Sequence, residues 1–325
     1  MSNLWALPMF VFRRTPASVA RFLDSRRGLL SVSAAAALWG TTGVIAQHLH
    51  ARLGLSVLAI SFYRLAVAAV VLAPVLIRTS RLQWRSVLDH RVGVVASGVG
   101  LAAYQALYYL AVTWVGVSVA TLVSLGLAPV ALIVVAAARD RRRPTPSTLA
   151  IAGFALVGLG LVSLFPAHSH SSAPHPTLGV LAAVGSGIGY AAATLLTQHL
   201  SRHTSALGLT ALTSTIGALS LLPCALFIGS GLTFAADTES LLQLGFIGAG
   251  ATALAYALFY AGLRTTPSEI SSVLTLIEPL TATALAVVLL SEPMSGAGIV
   301  GSVLLLAAVA GLYLRPAAPT VELGV

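Results

Sequence analysis

Apolar stretches long enough to cross a membrane alternate with short polar breaks along almost the whole chain. A hydrocarbon core about 30 Å thick needs roughly 20 mostly apolar residues per helix. The chain supplies that length in ten places, numbered as spans 1 to 10, at 29–48, 55–77, 92–111, 115–138, 147–165, 177–199, 206–228, 240–262, 268–291 and 296–314. The pattern predicts an all-α, polytopic membrane protein with ten transmembrane helices, least clearly separated between spans 3 and 4.

The composition supports this interpretation and excludes a soluble globular protein. Of the 325 residues, 57% are hydrophobic and 8% are charged, against about 25% charged in a typical soluble domain. The chain has no lysine, so all 18 basic residues are arginine, and a phosphate-binding loop that needs a lysine is excluded.

The arginines sort by membrane side. With the N-terminus placed in the cytoplasm, sixteen arginines fall on the inner side, Arg52 alone falls outside and Arg64 lies within span 2. Because arginine-rich short loops stay in the cytoplasm, both termini are predicted to be cytoplasmic, in the cell membrane, with 1–28 as a leader and 315–325 as a tail. This sorting explains the net charge of +9 by topology, so no nucleic-acid partner is expected.

The two halves of the chain show weak self-similarity. At an offset of 150 residues Pro129 aligns with Pro279. At 151 residues Trp39 aligns with Tyr190, and two Gln-His-Leu triplets coincide, at 47–49 and 198–200. Because five spans per half is an odd number, the alignment predicts two inverted five-helix repeats, 29–165 and 177–314, joined by the external linker 166–176. Many secondary transporters have this architecture, with the substrate cavity near the midplane.

Several motifs resemble the EamA family of the drug/metabolite transporter (DMT) superfamily. They are ALWGTTGVIAQ in span 1, FYRLAVAAVVL in span 2, LAPVALIV in span 4 and LIEPLTATALAVVLLSEP in span 9. The last motif has a proline in mid-helix and a glutamate, Glu292, at the end of the helix. The resemblance covers nearly the whole chain after the leader, and it implies export of amino acids or related small metabolites. It also implies that spans 1, 3, 4, 6, 8 and 9 line the cavity. The first half departs from the pattern with RDRRRP after span 4.

One carboxylate, Glu278, lies about half-way along span 9, roughly 15 Å deep at 1.5 Å per residue. An ionised carboxylate at that depth costs about 2.5–3.5 kcal/mol on insertion scales, so it should face a cavity or a partner. Ser271, Thr275 and Glu278 follow one another at helical spacing, which suits a cavity-facing stripe. Two interpretations stay open: recognition of a substrate amine or proton coupling, and a structural carboxylate held by hydrogen bonds or an ion pair.

Three further residues are predicted to have a structural or gating role. Pro279 removes the backbone hydrogen bond to Thr275, and Pro129 does the same to Leu125, so both helices should bend. A passive kink is the alternative for each proline alone, and a matched pair favours bends that shape the cavity. Arg64 has no counterpart in span 7, and a structural or gating ion pair, with Glu278 as a candidate partner, is favoured over substrate contact.

Aromatic and polar side chains of the cavity-lining spans are the candidate substrate contacts. The predicted substrate-binding residues are Trp39, Tyr104, Gln105, Tyr108, Tyr190, Tyr256, Thr275 and Glu278. Packing or an interface position is the alternative for each aromatic residue. Trp39 and Tyr190 are favoured as a repeat-related pair, and Gln105 because an amide that faces lipid is costly.

Other polar groups have simpler interpretations. The segment Thr266-Pro267-Ser268-Glu269 matches a capping box, so Glu269 is predicted to satisfy backbone N–H groups at the start of span 9. The histidines at 168, 170 and 175 lie in a Pro/Ser-rich segment, for which a solvated linker is favoured over a metal site. Neither a metal ion nor a cofactor is predicted.

The sequence therefore predicts a secondary active transporter that moves a small-molecule substrate by alternating access, with protons as a candidate coupling ion. A membrane-embedded enzyme is the main alternative, but it would need a nucleophile and a base at membrane depth. Every histidine of this chain lies near a helix end or in a loop, so the chain is predicted not to be an enzyme. A channel is the third alternative, and it would show neither saturation nor counterflow.

Overall fold

The computed structural model describes residues 16–78, 81–164, 175–228, 231–235, 237–290 and 294–314. Within these ranges every regular element is a helix, and ten helical regions are long and apolar enough to cross a membrane. The predicted all-α fold with ten spans is therefore confirmed. Seven spans are single helices: span 2 at Val57–Ile77, span 3 at Arg91–Val115, span 4 at Val117–Asp140, span 5 at Pro146–Leu164, span 6 at Pro176–Ser201, span 7 at Ala206–Phe227 and span 10 at Gly296–Leu314.

The other three spans are interrupted. Span 1 consists of the helices Pro16–Gly40 and Thr42–Leu53, and span 9 of Ser268–Leu274 and Ile277–Leu290. Span 8 begins as the helix Thr238–Gly248, passes through a π-helical segment, Ala249–Leu254, and ends as the helix Ala255–Gly262. A short helix, Arg81–Asp89, precedes span 3.

Spans 3 and 4, the pair least clearly separated in the sequence, are divided by one glycine. Gly116 has φ 86° and ψ 159°, a backbone conformation that a residue with a Cβ rarely adopts. Its N–H still bonds to the carbonyl of Val112, at 3.0 Å. One residue is thus enough to end span 3 and begin span 4.

The spans pack through close backbone approaches at small residues, as is common for membrane helices. A Cβ added at Gly98 of span 3 would lie 2.6 Å from Cβ of Ile216 in span 7, and one at Gly248 of span 8 would lie 2.4 Å from Cβ of Val67 in span 2. Gly98 and Gly248 align at the 150-residue offset. The contact of span 3 with span 7 thus has a counterpart in the contact of span 8 with span 2, which is consistent with the inverted repeats that the sequence predicts.

Two ends of the helical bundle are named here by an arginine that lies there. The Arg52 end holds the junction of spans 1 and 2 and the start of span 8. The Arg264 end holds the junction of spans 8 and 9 and the end of span 6. The largest buried cluster of apolar side chains lies between the halves and includes Trp39, Leu101 and Tyr256.

Candidate functional site

The interruptions of spans 1, 8 and 9 occur in helices that pack against one another. Span 1 packs closely against span 9 at Gly40, where an added Cβ would lie 2.6 Å from the carbonyl oxygen of Glu278 and 2.6 Å from Cβ of Thr281. On the span 1 side, the hydroxyl groups of Thr41 and Thr42 donate to the carbonyls of Leu38 and Trp39, at 2.7 and 2.6 Å. The backbone of span 1 therefore contacts span 9 at Glu278, whose carboxylate is half-buried.

The interruption of span 9 lies one turn before Pro279. Proline has no N–H to offer the carbonyl of Thr275, and that carbonyl accepts instead from the N–H of Glu278, at 2.9 Å. The hydroxyl of Thr275 donates to the carbonyl of Ser272, at 2.8 Å. A tighter turn and a side-chain hydroxyl thus replace the regular helical bonds at this point.

Span 4 does not repeat this interruption, although Pro129 is the sequence counterpart of Pro279. The helix Val117–Asp140 runs through Pro129 without a break, so the two prolines differ in whether an interruption accompanies them. The predicted bend of each helix stays a prediction. The counterpart of Thr275 is Leu125, which has no hydroxyl to satisfy a freed carbonyl. We attribute the difference to this missing polar group.

Arg64 is buried, with 8% of its surface exposed, and it binds the π-helical segment of span 8. Its Nε donates to Oγ1 of Thr252 at 3.0 Å, and its Nη2 lies 3.5 Å from the carbonyl of Ala251. Within the part of the chain that the structure describes, no carboxylate lies within 4.0 Å of Arg64. Arg64 and its candidate partner Glu278 therefore form no direct ion pair, and a structural or gating role of Arg64 stays a prediction.

The carboxylate of Glu278 is half-buried and has neither a hydrogen bond nor an ion pair to any described residue. Tyr108, Tyr190 and Tyr256 lie within range of its charge. A structural carboxylate inside a membrane protein is normally held by a partner. The interpretation of Glu278 as a structural ion pair or hydrogen-bonded group thus receives no support from its surroundings.

Most of the predicted substrate-binding residues lie together. The Tyr104 hydroxyl is 2.8 Å from the Tyr256 hydroxyl, and Nε2 of Gln105 is 3.5 Å from the same oxygen. The ring of Trp39 lies 4.9 Å from that of Tyr256, and the rings of Tyr104 and Tyr190 are 5.4 Å apart. Aromatic rings at these centroid distances attract one another. These residues come from spans 1, 3, 6 and 8, so the four spans meet at this point.

Thr275 connects this group to span 9, since the Tyr190 hydroxyl lies 3.4 Å from Oγ1 of Thr275. We call the whole group the central cluster; it comprises Trp39, Arg64, Tyr104, Gln105, Tyr190, Tyr256, Thr275 and Glu278. Tyr108 lies at its edge, where its hydroxyl is 2.8 Å from that of Thr121.

The central cluster contains polar atoms that are buried without a partner. Within the cluster, Nε1 of Trp39 and Oε1 of Gln105 have no hydrogen-bond partner among the described residues. Beside the cluster, one turn before Thr275, the hydroxyl of Ser271 has none there either. Leaving such a group unsatisfied costs about 1–3 kcal/mol, so these atoms are suited to hydrogen-bond a polar molecule. The site thus combines one donor, one acceptor and two opposite charges.

A cavity of about 530 Å³ opens at the Arg264 end, between spans 4 and 6 and the junction of spans 8 and 9. Its polar lining includes Arg139, Asp140, Gln198, Arg264 and Glu269. None of the predicted substrate-binding residues lines it. Its volume is in the range of small-molecule sites, and it reaches span 9 at Ser268, one turn before the unpartnered Ser271.

Polar contacts join spans 1 and 8 at the Arg52 end. Arg52, at the end of span 1, binds the carboxylates of Glu239 and Asp237, the latter at 3.2 Å, and His48 lies 3.2 Å from Glu239. The pKa of Asp237 is lowered, first by the backbone N–H of Ser240, which its carboxylate accepts at 2.9 Å, and also by Arg52. These contacts join the end of span 1 to the start of span 8.

A second polar contact lies at the same end, where the Tyr63 hydroxyl donates to the carbonyl of Leu232. The sequence placed Arg52 alone on the outer side without assigning it a role. Its position as the one arginine on the predicted outer side was the signal that could have revealed this role. Thr252, the partner of Arg64, left no signal, since nothing in a sequence indicates a π-helical segment.

Two predictions about helix ends and loops need correction or fall outside the described residues. The helix of span 9 begins at Ser268, and no side chain caps it. The carboxylate of Glu269 lies 3.4 Å from the hydroxyl of Ser268, and the hydroxyl of Thr266 has no partner in the described part of the chain, so the capping box is wrong. Glu292 and the histidines at 168 and 170 lie outside the described residues.

Comparison with known proteins agrees with this architecture. Two segments of the chain, 26–164 and 177–314, match the model of the EamA-like transporter family. The uncharacterized transporter YwfM of Bacillus subtilis (strain 168) is 31% identical over 293 residues, which cover 89% of this chain and 94% of that protein. The uncharacterized transporter YetK of the same organism is 32% identical over 150 residues, or 45% of each chain.

A solved structure described as "Crystal structure of protein" has the same fold, with a TM-score of 0.70. The superposition covers 91% of this chain and 97% of that one, at 21% sequence identity. At that identity the likeness concerns the path of the helices alone.

Proposed function

The chain belongs to the EamA-like transporter family, and from that premise we propose that this multi-pass membrane transporter is a secondary active exporter of amino acids or related zwitterionic metabolites. The family membership carries the transporter role. The central cluster supports the substrate class, and the two ends of the bundle support the mechanism. The cell membrane, with both termini in the cytoplasm, is the proposed location because of the arginine distribution.

The observation that carries the substrate class is the pair of separated opposite charges in the central cluster. Arg64 has no carboxylate within 4.0 Å among the described residues. The side-chain carboxylate of Glu278 has no hydrogen bond or ion pair to any of them. Desolvating a charge is costly unless it finds a partner. A zwitterion between them would offer its carboxylate to Arg64 and its ammonium group to Glu278, so both charges would gain a partner in the same event.

The aromatic and amide groups of the central cluster suit the remainder of such a substrate. Nε1 of Trp39 can donate to a carbonyl or carboxylate oxygen, and Oε1 of Gln105 can accept from an N–H or O–H. The rings of Trp39, Tyr104, Tyr190 and Tyr256 provide apolar surface for a side chain. The site resembles other ligand sites in having a mostly apolar wall with a few convergent polar groups.

Alternating access follows from the contrast between the two ends. The cavity at the Arg264 end opens toward the side that we propose to be cytoplasmic, while the contacts of Arg52 and Tyr63 close the other end. Exposed ion pairs are worth about 0–1 kcal/mol each, so the closed end can open at modest cost. The interrupted spans 1 and 9 are the elements that we propose to move, since helix interruptions accompany the binding sites of many transporters.

Counterflow in liposomes tests this function. Full-length protein is reconstituted with a high internal concentration of one unlabelled amino acid, and uptake of a trace of labelled amino acid is followed. We expect saturable counterflow for at least one zwitterionic substrate. Compounds that lack either the ammonium or the carboxylate group should compete at least about tenfold less well, because Glu278 or Arg64 then has no opposite charge to bind.

Glu278→Gln is the matched variant, since it keeps the shape of the side chain and removes the charge. We expect it to lose recognition of the ammonium group and to show weaker pH dependence of transport. Asp89→Asn, which neutralises an exposed carboxylate outside the central cluster, is the control that should behave as the parent protein. Unchanged transport rate, affinity and pH dependence in Glu278→Gln would show that the carboxylate has no part in substrate or proton handling.

A further inference from the structure

Three histidines meet at the Arg264 end, outside the central cluster. His90 precedes the first turn of span 3, His199 lies in the last turn of span 6 and His203 follows in the next turn. One ring nitrogen of each lies within 4.8 Å of those of the other two. We propose that these residues, called the histidine cluster, form a binding site for a divalent transition-metal ion of the Zn²⁺ class.

The ring geometry is compact enough for one ion. The ring centroids of His90 and His203 are 4.8 Å apart, those of His199 and His203 are 5.0 Å apart, and those of His90 and His199 are 5.9 Å apart. Zn–N bonds of about 2.0–2.1 Å in tetrahedral geometry place ligand nitrogens roughly 3.4 Å from one another. His199 and His203 are exposed, so rotation of their side chains is enough to close the remaining gap.

The hydrogen bonds of His90 prepare it to be a ligand. Its Nδ1 lies 2.9 Å from the carbonyl oxygen of Ser86. A carbonyl only accepts, so Nδ1 carries the proton and Nε2 keeps a free lone pair. Metal-binding histidines are commonly oriented in this way, by an N–H bond from the second ring nitrogen to a carbonyl.

Ser86 also positions the second ligand. Its hydroxyl donates to the carbonyl of His203 at 2.8 Å, so one residue contacts both His90 and His203. His199 lies in the last turn of the span 6 helix, which ends at Ser201, and His203 lies just beyond that end, where its N–H donates to the carbonyl of Leu200 at 3.0 Å. A preformed arrangement lowers the entropy that binding must overcome.

The charges near the histidine cluster do not exclude a cation. Asp89, Arg91 and Arg202 are its charged neighbours in sequence, and all three are exposed. The carboxylate of Asp89 offsets one of the two arginines, and the high dielectric constant of water weakens the repulsion from the exposed side chain of the other. Neutral imidazole is a preferred ligand of Zn²⁺, Cu²⁺ and Ni²⁺, whereas Mg²⁺ and Ca²⁺ prefer oxygen, so the histidine cluster selects transition metals.

An ion bound here would connect the two halves. His90 belongs to the first half and His199 to the second, and His199 also lines the cavity at the Arg264 end. The ion would hold span 3 against span 6 at the rim of the cavity. We therefore expect Zn²⁺ to slow transport by opposing the movement of one half against the other, a consequence that rests on the proposed function, whereas metal binding itself does not.

Calorimetric titration of Zn²⁺ into full-length protein, purified without a histidine tag, tests the site. We expect a component with one ion per chain that weakens at least about tenfold in His199→Ala and in His203→Gln. Ser86→Ala should weaken binding by less, since it removes no ligand. His50→Ala, whose ring bonds to the carbonyl of Leu55 at the Arg52 end, is the control that should retain the affinity.

The competing location is the linker, tested with a triple variant in which alanine replaces the histidines at 168, 170 and 175. Retained affinity in that variant supports the histidine cluster. Loss of affinity there, or unchanged affinity in both His199→Ala and His203→Gln, would overturn the proposal. Folding is checked by the thermal midpoint without metal, and Zn²⁺ should raise it in the parent protein but not in the variants of the histidine cluster. A protein that binds Zn²⁺ in this way but shows no counterflow would contradict only the proposed function.

Discussion

Spans 4 and 9 are sequence counterparts, and each carries a proline in a buried stretch, yet only span 9 is interrupted. In span 9 the carbonyl freed by Pro279 finds the N–H of Glu278, and the hydroxyl of Thr275 bonds the preceding turn. In span 4, a continuous helix passes through Pro129, and leucine stands where span 9 has Thr275. A membrane proline thus interrupts a helix where neighbouring polar groups can satisfy the backbone that it frees.

The two helices also differ in the residue before the proline. Glu278 precedes Pro279, whereas Ala128 precedes Pro129 and is fully buried. The same backbone position therefore serves packing in one half and a charge in the other. This difference gives the second half the one carboxylate of the central cluster, whereas residues of both halves supply its other members.

The largest effect is expected when the carboxylate is moved to the other helix. Ala128→Glu places a charge in a tightly packed position and should destabilise the protein by several kcal/mol. The double variant Ala128→Glu/Glu278→Ala should show no counterflow, because Ala128 does not adjoin the interrupted backbone. Thermal unfolding and liposome counterflow measure the two effects, and restored transport in the double variant would show that the halves are interchangeable.

Replacing each proline by alanine comes next. Pro279→Ala restores an N–H to the carbonyl of Thr275, so the helix should become continuous and the transport rate should fall about tenfold or more, while the thermal midpoint rises. Pro129→Ala should change the rate little, because span 4 is already continuous. An equal loss of transport in both variants would mean that the interruption of span 9 has no special role.

Thr275→Val keeps the side-chain shape and removes the hydroxyl that bonds to Ser272 and lies beside Tyr190. We expect a loss of stability of about 0.5–1.5 kcal/mol, the usual worth of one hydrogen bond, together with a lower substrate affinity. Leu125→Thr is the reciprocal variant in span 4. If a hydroxyl is what permits the interruption, Leu125→Thr should increase hydrogen–deuterium exchange of the amides around residue 129.

The smallest effect is expected at the Arg52 end, where Arg52→Gln removes ion pairs between exposed side chains, which contribute little to stability because water and salt weaken them. Loss of these contacts should favour opening of that end, seen as faster labelling of Ala59→Cys, a buried position packed with Leu49 and Leu55, in a Cys224→Ser background. The pKa of Asp237 is lowered in the folded protein, so its contribution is present above its unfolded pKa and is lost as the pH falls through the lower folded value. Titration of Asp237 should therefore not change the difference in labelling rate between Arg52→Gln and the parent protein from pH 7 to pH 5. Both pH values lie above the ordinary aspartate pKa of about 3.9.

The amino-acid sequence alone was enough for the number of spans, the helical fold and the family. These depend on apolar length and on short motifs, which are local properties of the chain. The sequence also identified most members of the central cluster, because polar and aromatic residues are conspicuous within apolar helices. The domain boundaries, the inverted arrangement and the roles of the site residues stay predictions.

Tertiary structure decided which polar groups meet. Arg64 bonds to Thr252 and Ala251 in a π-helical segment instead of pairing with Glu278, and Pro129 lies in an unbroken helix. His90, His199 and His203 come together from distant parts of the sequence. Such outcomes depend on which partners satisfy each buried donor and acceptor, and those partners are chosen by packing between helices, which no local pattern of residues records.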